Sequence, residues 1–243
     1  MARLAIITIC YNDREGLSRT FASVFGQSCR DIEYIVVDGG STDGSVDLIK
    51  ANAARITTWT SEKDAGIYDA QNKGWYTANA PFVLFLNAGD VFASADVLER
   101  TIPMLTDAVD IVYGDAQLMD QRGCFAMKTH PQRITSAWLM KEVVAHQSQF
   151  IRRSLLEKVE GYDLRYPIAA DYAFFAQLFW ETHLRLRHAG FVISAFDTTG
   201  FSSAPEQKQR AAAERKAIQR AFAPQWWYFV YHGYAGFNRL IGR

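Results

Sequence analysis

Two carboxylates in the first half of this chain close buried-looking apolar runs, and their types and positions could do chemistry. Asp38 ends the run Ile32 to Val37 and stands directly before Gly39-Gly40-Ser41-Thr42-Asp43-Gly44. A carboxylate there can accept hydrogen bonds from a base N–H or a ribose hydroxyl, and it can equally cap the turn that begins at Gly39. Asp90 follows the run Phe82 to Leu86 within Asn87-Ala88-Gly89-Asp90. One carboxylate so placed can hold a divalent cation that bridges two phosphates, because Mg²⁺ takes one or two protein carboxylates and lets a substrate supply the rest. It can also cap the helix that begins shortly after it.

These groups need strands and helices to position them. Leu4 to Ile9 is an apolar run rich in β-branched residues, as in a buried parallel strand, and Leu17, Phe21, Val24 and Phe25 recur at helical spacing over 15–26. Ile32 to Val37, Ile56 to Thr60, Phe82 to Leu86 and Ile111 to Tyr113 read as further strands; 45–54, 67–79 and 94–106 read as helices. Strand–helix alternation with short connections predicts a mainly parallel sheet with helices on both faces, and ligands of such sheets sit at the carboxyl ends of the strands. Tyr11-Asn12, Asp38, Glu62-Lys63-Asp64 and Asn87 to Asp90 all fall at such ends. Beyond residue 115 the pattern is less regular: loops and short strands over 115–135, a strand from His146 to Arg152, and an apolar helix from Asp171 to Thr182. Residues 205–222 form a polar, Ala-rich helix, which Pro224 separates from an aromatic end.

Composition sets bounds. The 243 residues suit one large domain, or one domain with an extension, and 49% hydrophobic content supplies a core. The 26 Lys and Arg balance 26 Asp and Glu, which argues against a dedicated nucleic-acid binder. Cys10, Cys29 and Cys124 form no CxxC pair and no disulfide framework, so a reducing, cytosolic setting is expected. Met1 to Cys10 lacks the long apolar region and small-residue cleavage site of a signal peptide, and no stretch approaches the roughly 20 apolar residues of a membrane span. Strand one leads into Thr8-Ile9-Cys10-Tyr11-Asn12 with no glycine, which removes GxGxxG dinucleotide binding; a GxxxxGK[ST] phosphate loop is absent as well.

Read in order, Thr8 to Asn12, Val36 to Ser45, Ser61 to Gly74 (Ser-Glu-Lys-Asp-Ala-Gly-Ile-Tyr-Asp-Ala-Gln-Asn-Lys-Gly) and Leu86 to Asp90 closely resemble family 2 glycosyltransferases, over roughly residues 3–200. The likeness is greatest to small bacterial enzymes that build exopolysaccharide, colanic-acid-type or O-antigen units. It implies an α/β GT-A (nucleotide-diphospho-sugar transferase) fold, a mixed, mainly parallel central sheet flanked by helices over 1–204; the polar, Ala-rich helix and the aromatic end make 205–243 a helical C-terminal extension. It implies a nucleotide-sugar donor, UDP-linked, with Thr8, Tyr11, Asn12 and Asp38 on base and ribose, and Gly40, Asp64, Tyr68, Asn72, Lys73 and Asn87 around the donor. Lys73 reads equally as a solvated helix lysine. Asp90 becomes the carboxylate for a divalent metal, Mg or Mn, although Asn87 replaces the first acid of the usual Asp-x-Asp.

Downstream of Gly161-Tyr162-Asp163, Asp171 stands where the family's catalytic acid pair is expected, reduced here to Ala170-Asp171. The resemblance makes Asp171 the base for the acceptor hydroxyl; the alternative is a helix cap. His146-Gln147 resembles a His-Gln element of these enzymes, so His146 is a candidate acceptor or phosphate contact, or a histidine satisfied in the core. The Gln-x-x-Arg-Trp of processive synthases is absent, which implies transfer of a single sugar; the resemblance implies that this is an inverting displacement onto a saccharide or polyprenyl-linked saccharide. The rival functions are a catalytically silent sugar-nucleotide-binding or scaffold protein and a nucleotidyltransferase.

The tail differs in kind from the body. Lys208, Arg210, Arg215, Lys216, Arg220, Arg239 and Arg243 outnumber Glu206 and Glu214, and Phe222, Trp226, Trp227, Tyr228, Phe229, Tyr231, Tyr234 and Phe237 crowd the end. Rings with basic residues suit a bilayer interface, which would make a cytoplasmic protein peripheral on the inner face of the membrane. The alternative is packing against the body or a second subunit, as in a homo-oligomer.

Overall fold

A computed structural model describes residues 2–120, 123–197 and 205–240. The first half runs β1 (Leu4–Cys10), α1 (Arg14–Phe25), β2 (Glu33–Asp38), α2 (Ser45–Ala51), β3 (Thr58–Ser61), α3 (Ile67–Thr77) and β4 (Phe82–Phe85). Next come β5 (Val91–Phe92), α4 (Val97–Thr101), β6 (Ile111–Asp120), β7 (Gly123–Lys128), α5 (Ser136–Leu139), β8 (Gln149–Arg152) and α6 (Arg153–Lys158). The chain closes with α7 (Ala170–Glu181), β9 (Leu186–Asp197), α8 (Pro205–Phe222) and α9 (Gln225–Leu240).

The strands form one sheet in the order β3-β2-β1-β4-β8-β6-β9-β5, with β7 on β6. β3, β2, β1 and β4 are mutually parallel, so their four carboxyl ends lie side by side on one edge. β8 is antiparallel to both β4 and β6, while β9 runs parallel to β6. The sheet is thus mixed, with a parallel half that carries the motif loops.

Every residue of β1 is buried, as a strand covered on both faces requires. Its side chains alternate between two cores. Ala5, Ile7 and Ile9 belong to the core that holds Trp75 of α3 and Tyr172 and Phe175 of α7; Leu4, Ile6 and Cys10 belong to the one that holds Leu17, Phe21 and Val24 of α1. α1 starts where the Asp13 side chain accepts the Gly16 N–H, a side-chain cap on an otherwise orphaned donor. Gly74 lets α3 lie close on β1: a Cβ there would stand 2.4 Å from Ile7 Cγ2.

Several local expectations give way to tertiary structure. The helix expected over 94–106 is α4 followed by a 3-10 turn at Ile102–Met104, because Pro103 has no N–H to continue an α-helical ladder. The short strand at 111–113 extends to Asp120 through pairing with β7 and β9. His146–Ser148 is a 3-10 turn before β8 and not strand. The long β9 is interrupted in pattern by Gly190 at φ 82°, close to a register shift against β6. The tail is not detached: Ile218 of α8 is fully buried in the core that includes α7.

Candidate active site

The β1 and β2 loops are stitched together at the sheet edge. Asn12, in the left-handed region at φ 49° that asparagine tolerates, accepts the Thr42 N–H on Oδ1 at 2.8 Å, and its own N–H donates to Ser41 Oγ at 2.8 Å. Tyr11 beside it is exposed. Asp38 is fully buried, and its Oδ2 accepts from Gly40 N–H (3.0 Å), Ser41 N–H (2.9 Å) and Ser61 Oγ–H (2.7 Å). Its Oδ1 is buried without a hydrogen-bond partner. A buried acceptor in that state is costly, and the group that satisfies it must bring an N–H or O–H.

Asp64 closes on the same place. Its Oδ1 accepts the Gly66 N–H at 2.9 Å, and its Oδ2 lies 2.3 Å from where a Cβ on Gly39 would be, so only glycine admits this approach. Lys73 turns to Glu62 (2.9 Å), Asp69 (3.7 Å) and the Lys63 carbonyl (3.0 Å), an ion-pair cluster along the rim.

The turn after β4 is built on Thr20 of α1, whose hydroxyl donates to the Asp90 carbonyl at 2.7 Å and accepts the Gly89 N–H at 3.0 Å. Asp90 itself is buried, and its Oδ2 accepts the Asn87 N–H at 3.1 Å. Among the described residues no group of three His, Cys, Asp or Glu is assembled as a metal cage. The Asn87–Asp90 turn itself offers one carboxylate, Asp90, which fits a divalent ion where a diphosphate supplies other ligands.

Asp171 sits in the first turn of α7. Its Oδ1 accepts from the Tyr68 hydroxyl (3.0 Å) and the Tyr172 N–H (2.7 Å), and its Oδ2 lies 3.4 Å from His146 Nδ1. Burial alone would raise its pKa, but the His146, Tyr172 and Tyr68 contacts outweigh burial and hold the carboxyl below its ordinary value. Burial, with the Asp171 charge beside it, pushes the Tyr68 phenol well above its ordinary range, so Tyr68 keeps its proton to donate. His146 links this carboxylate to the β4 end, since Asn87 Nδ2 is 3.1 Å from His146 Nε2. Asp171 and the strand-end residues therefore share one edge of the sheet.

Three residues chosen from the motifs have their polar atoms committed inside the protein. Thr8 is fully buried; it donates to the Leu86 carbonyl at 2.8 Å and accepts from Tyr34 at 3.0 Å. Asn72 clamps Tyr162, donating to its carbonyl (2.9 Å) and accepting its N–H (2.8 Å). Tyr68 serves Asp171. Gln71 and Glu214 escaped sequence reasoning. Gln71 is fully buried and donates to Asn87 Oδ1 at 3.0 Å; Glu214 of α8 accepts the Ile168 and Ala169 N–H groups, each at 3.0 Å, just ahead of α7. A glutamine on the helical face of Tyr68 and Trp75 was the available signal for the first; nothing local marks the second.

In the tail, Phe222 packs against the core, while Trp226, Phe229 and Val230 are exposed. The side chains of Tyr234, Phe237 and Arg239, and the whole of Arg243, lie outside the described residues. No helix among the described residues is long and apolar enough to cross a membrane.

A parallel half-sheet whose strand ends carry acids and amides, completed by antiparallel strands and facing a later carboxylate, is the GT-A arrangement of nucleotide-sugar transferases. The Glycosyl transferase family 2 model matches residues 5–181, and the chain belongs to that family of glycosyltransferase enzymes. It is 36% identical over 207 residues to the uncharacterized glycosyltransferase MT1564 of Mycobacterium tuberculosis, covering 82% of this chain and 77% of that protein. It is 22% identical over 195 residues, 79% of this chain and 76% of the other, to WfgD of Escherichia coli, a UDP-Glc:alpha-D-GlcNAc-diphosphoundecaprenol beta-1,3-glucosyltransferase. Among solved structures, S. aureus TarS 1-349 in complex with UDP-GlcNAc superposes with a TM-score of 0.70 at 16% identity, covering 92% of this chain and 68% of that one. The mannosyltransferase PcManGT of Pyrobaculum calidifontis, in complex with GDP-Man and Mn²⁺, gives 0.62 at 15% identity over 97% of this chain and 80% of that one.

Proposed function

We propose that this glycosyltransferase moves one sugar from a UDP-linked donor to a hydroxyl of a saccharide or polyprenyl-linked saccharide by a single inverting, non-processive displacement. The observation that carries the reading is Asp171, a carboxylate held in its charged form by Tyr68 and its neighbours and connected through His146 and Asn87 to the strand ends. In the step, the acceptor oxygen gives its proton to Asp171 as it bonds to the anomeric carbon. The bond from that carbon to the diphosphate oxygen breaks, and the nucleoside diphosphate leaves with the electron pair.

The donor contacts are assigned to Tyr11, Asn12, Asp38, Gly40, Asp64, Lys73 and Asn87, with Thr8, Tyr68 and Asn72 supporting them from behind. Support for a UDP donor and a lipid-linked acceptor comes from TarS bound to UDP-GlcNAc and from the reaction named for WfgD. A divalent ion on Asp90, of the kind PcManGT holds as Mn²⁺, would offset charge on the diphosphate. The basic, aromatic tail would bring the enzyme to the cytoplasmic face of a membrane that carries such acceptors.

Asp171→Asn tests the core of this reading. Turnover should fall by about 10² to 10⁴ while titration with UDP-sugar stays at the parent's affinity; near-normal turnover overturns the base. In the same titrations, Asp90→Asn keeps an oxygen for the Asn87 N–H and should lose any gain from Mn²⁺. Curves that match the parent's with and without Mn²⁺ would take the metal away from Asp90.

A further inference from the structure

Asp171 is the end of an ordered chain of side chains that begins inside the fold. Gln71, fully buried on α3, donates from Nε2 to Asn87 Oδ1 at 3.0 Å. That contact turns the Asn87 amide nitrogen toward His146 Nε2, 3.1 Å away. With the Asn87 amide in this orientation its NH₂ has only hydrogens to offer, so Nε2 accepts and the ring proton sits on Nδ1. Nδ1 faces Asp171 Oδ2 at 3.4 Å, where an N–H meets a carboxylate and a lone pair would be repelled. Both sides of the ring demand the same tautomer.

The segment carrying His146 is anchored as well. The Ala145 N–H donates to Nε2 of buried His130 at 3.2 Å, and His130 Nδ1 lies 2.9 Å from the Gly114 carbonyl. Burial, with the Lys128 charge adding to it, pushes His130 down to about 4, so near neutral pH its Nε2 remains an acceptor.

We propose that Gln71, Asn87 and His146 form a polarised relay that locks His146 as the Nδ1–H tautomer and makes it a positioning residue for the Asp171 carboxylate. The inference rests on Asp171 as base, and it gives a reason for the amide at position 87. An acid there would accept only, would draw a second proton onto Nε2, and would set an imidazolium against the base, lowering its affinity for the acceptor's proton.

Isosteric replacements of His146, with imidazole ¹⁵N NMR, test it. His146→Asn places an amide N–H close to the Nδ1 position, His146→Gln places one close to Nε2, and His146→Ala places neither. The relay requires kcat of His146→Asn to stay near the parent's, and that of the Gln and Ala variants to fall roughly ten- to a hundredfold, all with unchanged donor Kd. The parent spectrum should show a single Nδ1–H tautomer, and Gln71→Leu a mixture of the two. An Nε2–H spectrum in the parent, or rescue by glutamine and not asparagine, would overturn the relay in favour of a ligand contact through Nε2. The spectrum is independent of turnover, so failure of the base, seen as turnover by Asp171→Asn, is told apart from failure of the relay.

Discussion

Asp38 commits one carboxylate oxygen to three donors and keeps the other buried without a partner. Asp38→Asn preserves volume, and its single amide oxygen can keep the three internal donors, which leaves an NH₂ in place of the second acceptor. Against a nucleotide that must donate there, binding should weaken roughly ten- to a hundredfold with thermal stability little changed. Calorimetric titration with UDP checks this, and an unaltered Kd would remove Asp38 from the donor site. The motif picked out Asp38, Asp64, Asp90 and Asp171 by type and order. It was silent on which polar atoms are already used, because the partners of Thr8, Asn72 and Tyr68 come from other elements: Tyr68 and Asp171 are 103 residues apart, Asn72 and Tyr162 90.

At the level of elements, α7 depends on α8. The first N–H groups of a helix lack internal partners; at α7 the N-cap residue Ala169 makes no side-chain bond, and Asp171 takes the Tyr172 N–H. Glu214 of α8 fixes the turn into the helix by accepting the Ile168 and Ala169 N–H groups just ahead of it. Gln219 adds bonds to the Met140 carbonyl (2.9 Å) and the Tyr172 hydroxyl (3.0 Å), and Arg215 lies over the Tyr172 ring. Glu214→Ala should cost about 1–2 kcal/mol of stability in urea unfolding, as N–H groups left without a partner do, and should lower kcat because Asp171 begins two residues on. A stable variant with full activity would show that α7 does not need this anchor. The polar, Ala-rich composition of 205–222 predicts the helix, whereas the buried seat of Ile218 and the reach of Glu214 belong to packing.

Across the whole molecule, charge is balanced in sum and uneven in place. The basic tail carries Trp226, Phe229 and Val230 at helical spacing on an exposed face of α9, and Lys216 and Arg220 on the neighbouring α8. Such a face suits an anionic bilayer, with rings at the interface and cations on head groups. Flotation with vesicles rich in phosphatidylglycerol should carry the parent protein upward at low salt. Trp226→Ser with Phe229→Ser should reduce the bound fraction severalfold, at about 1.5–3 kcal/mol of burial per large apolar side chain. Equal flotation of parent and variant would exclude this face. Point substitutions serve better than cutting at residue 204, because the cut also strips Glu214 from α7.

The amino-acid order alone determined the parallel half of the sheet and the row of polar clusters at its edge. Strands buried on both faces are continuous apolar runs, and short connections make neighbours in sequence neighbours in space. Only the tertiary structure decided the rest: the pairing of β9 with β6, the seating of α8 on α7, and the line from Gln71 through Asn87 and His146 to Asp171. Asn87 and His146 stand 59 residues apart, and no local propensity encodes which buried amide will face which ring nitrogen. That choice is made when the sheet closes and each buried polar atom must find a partner.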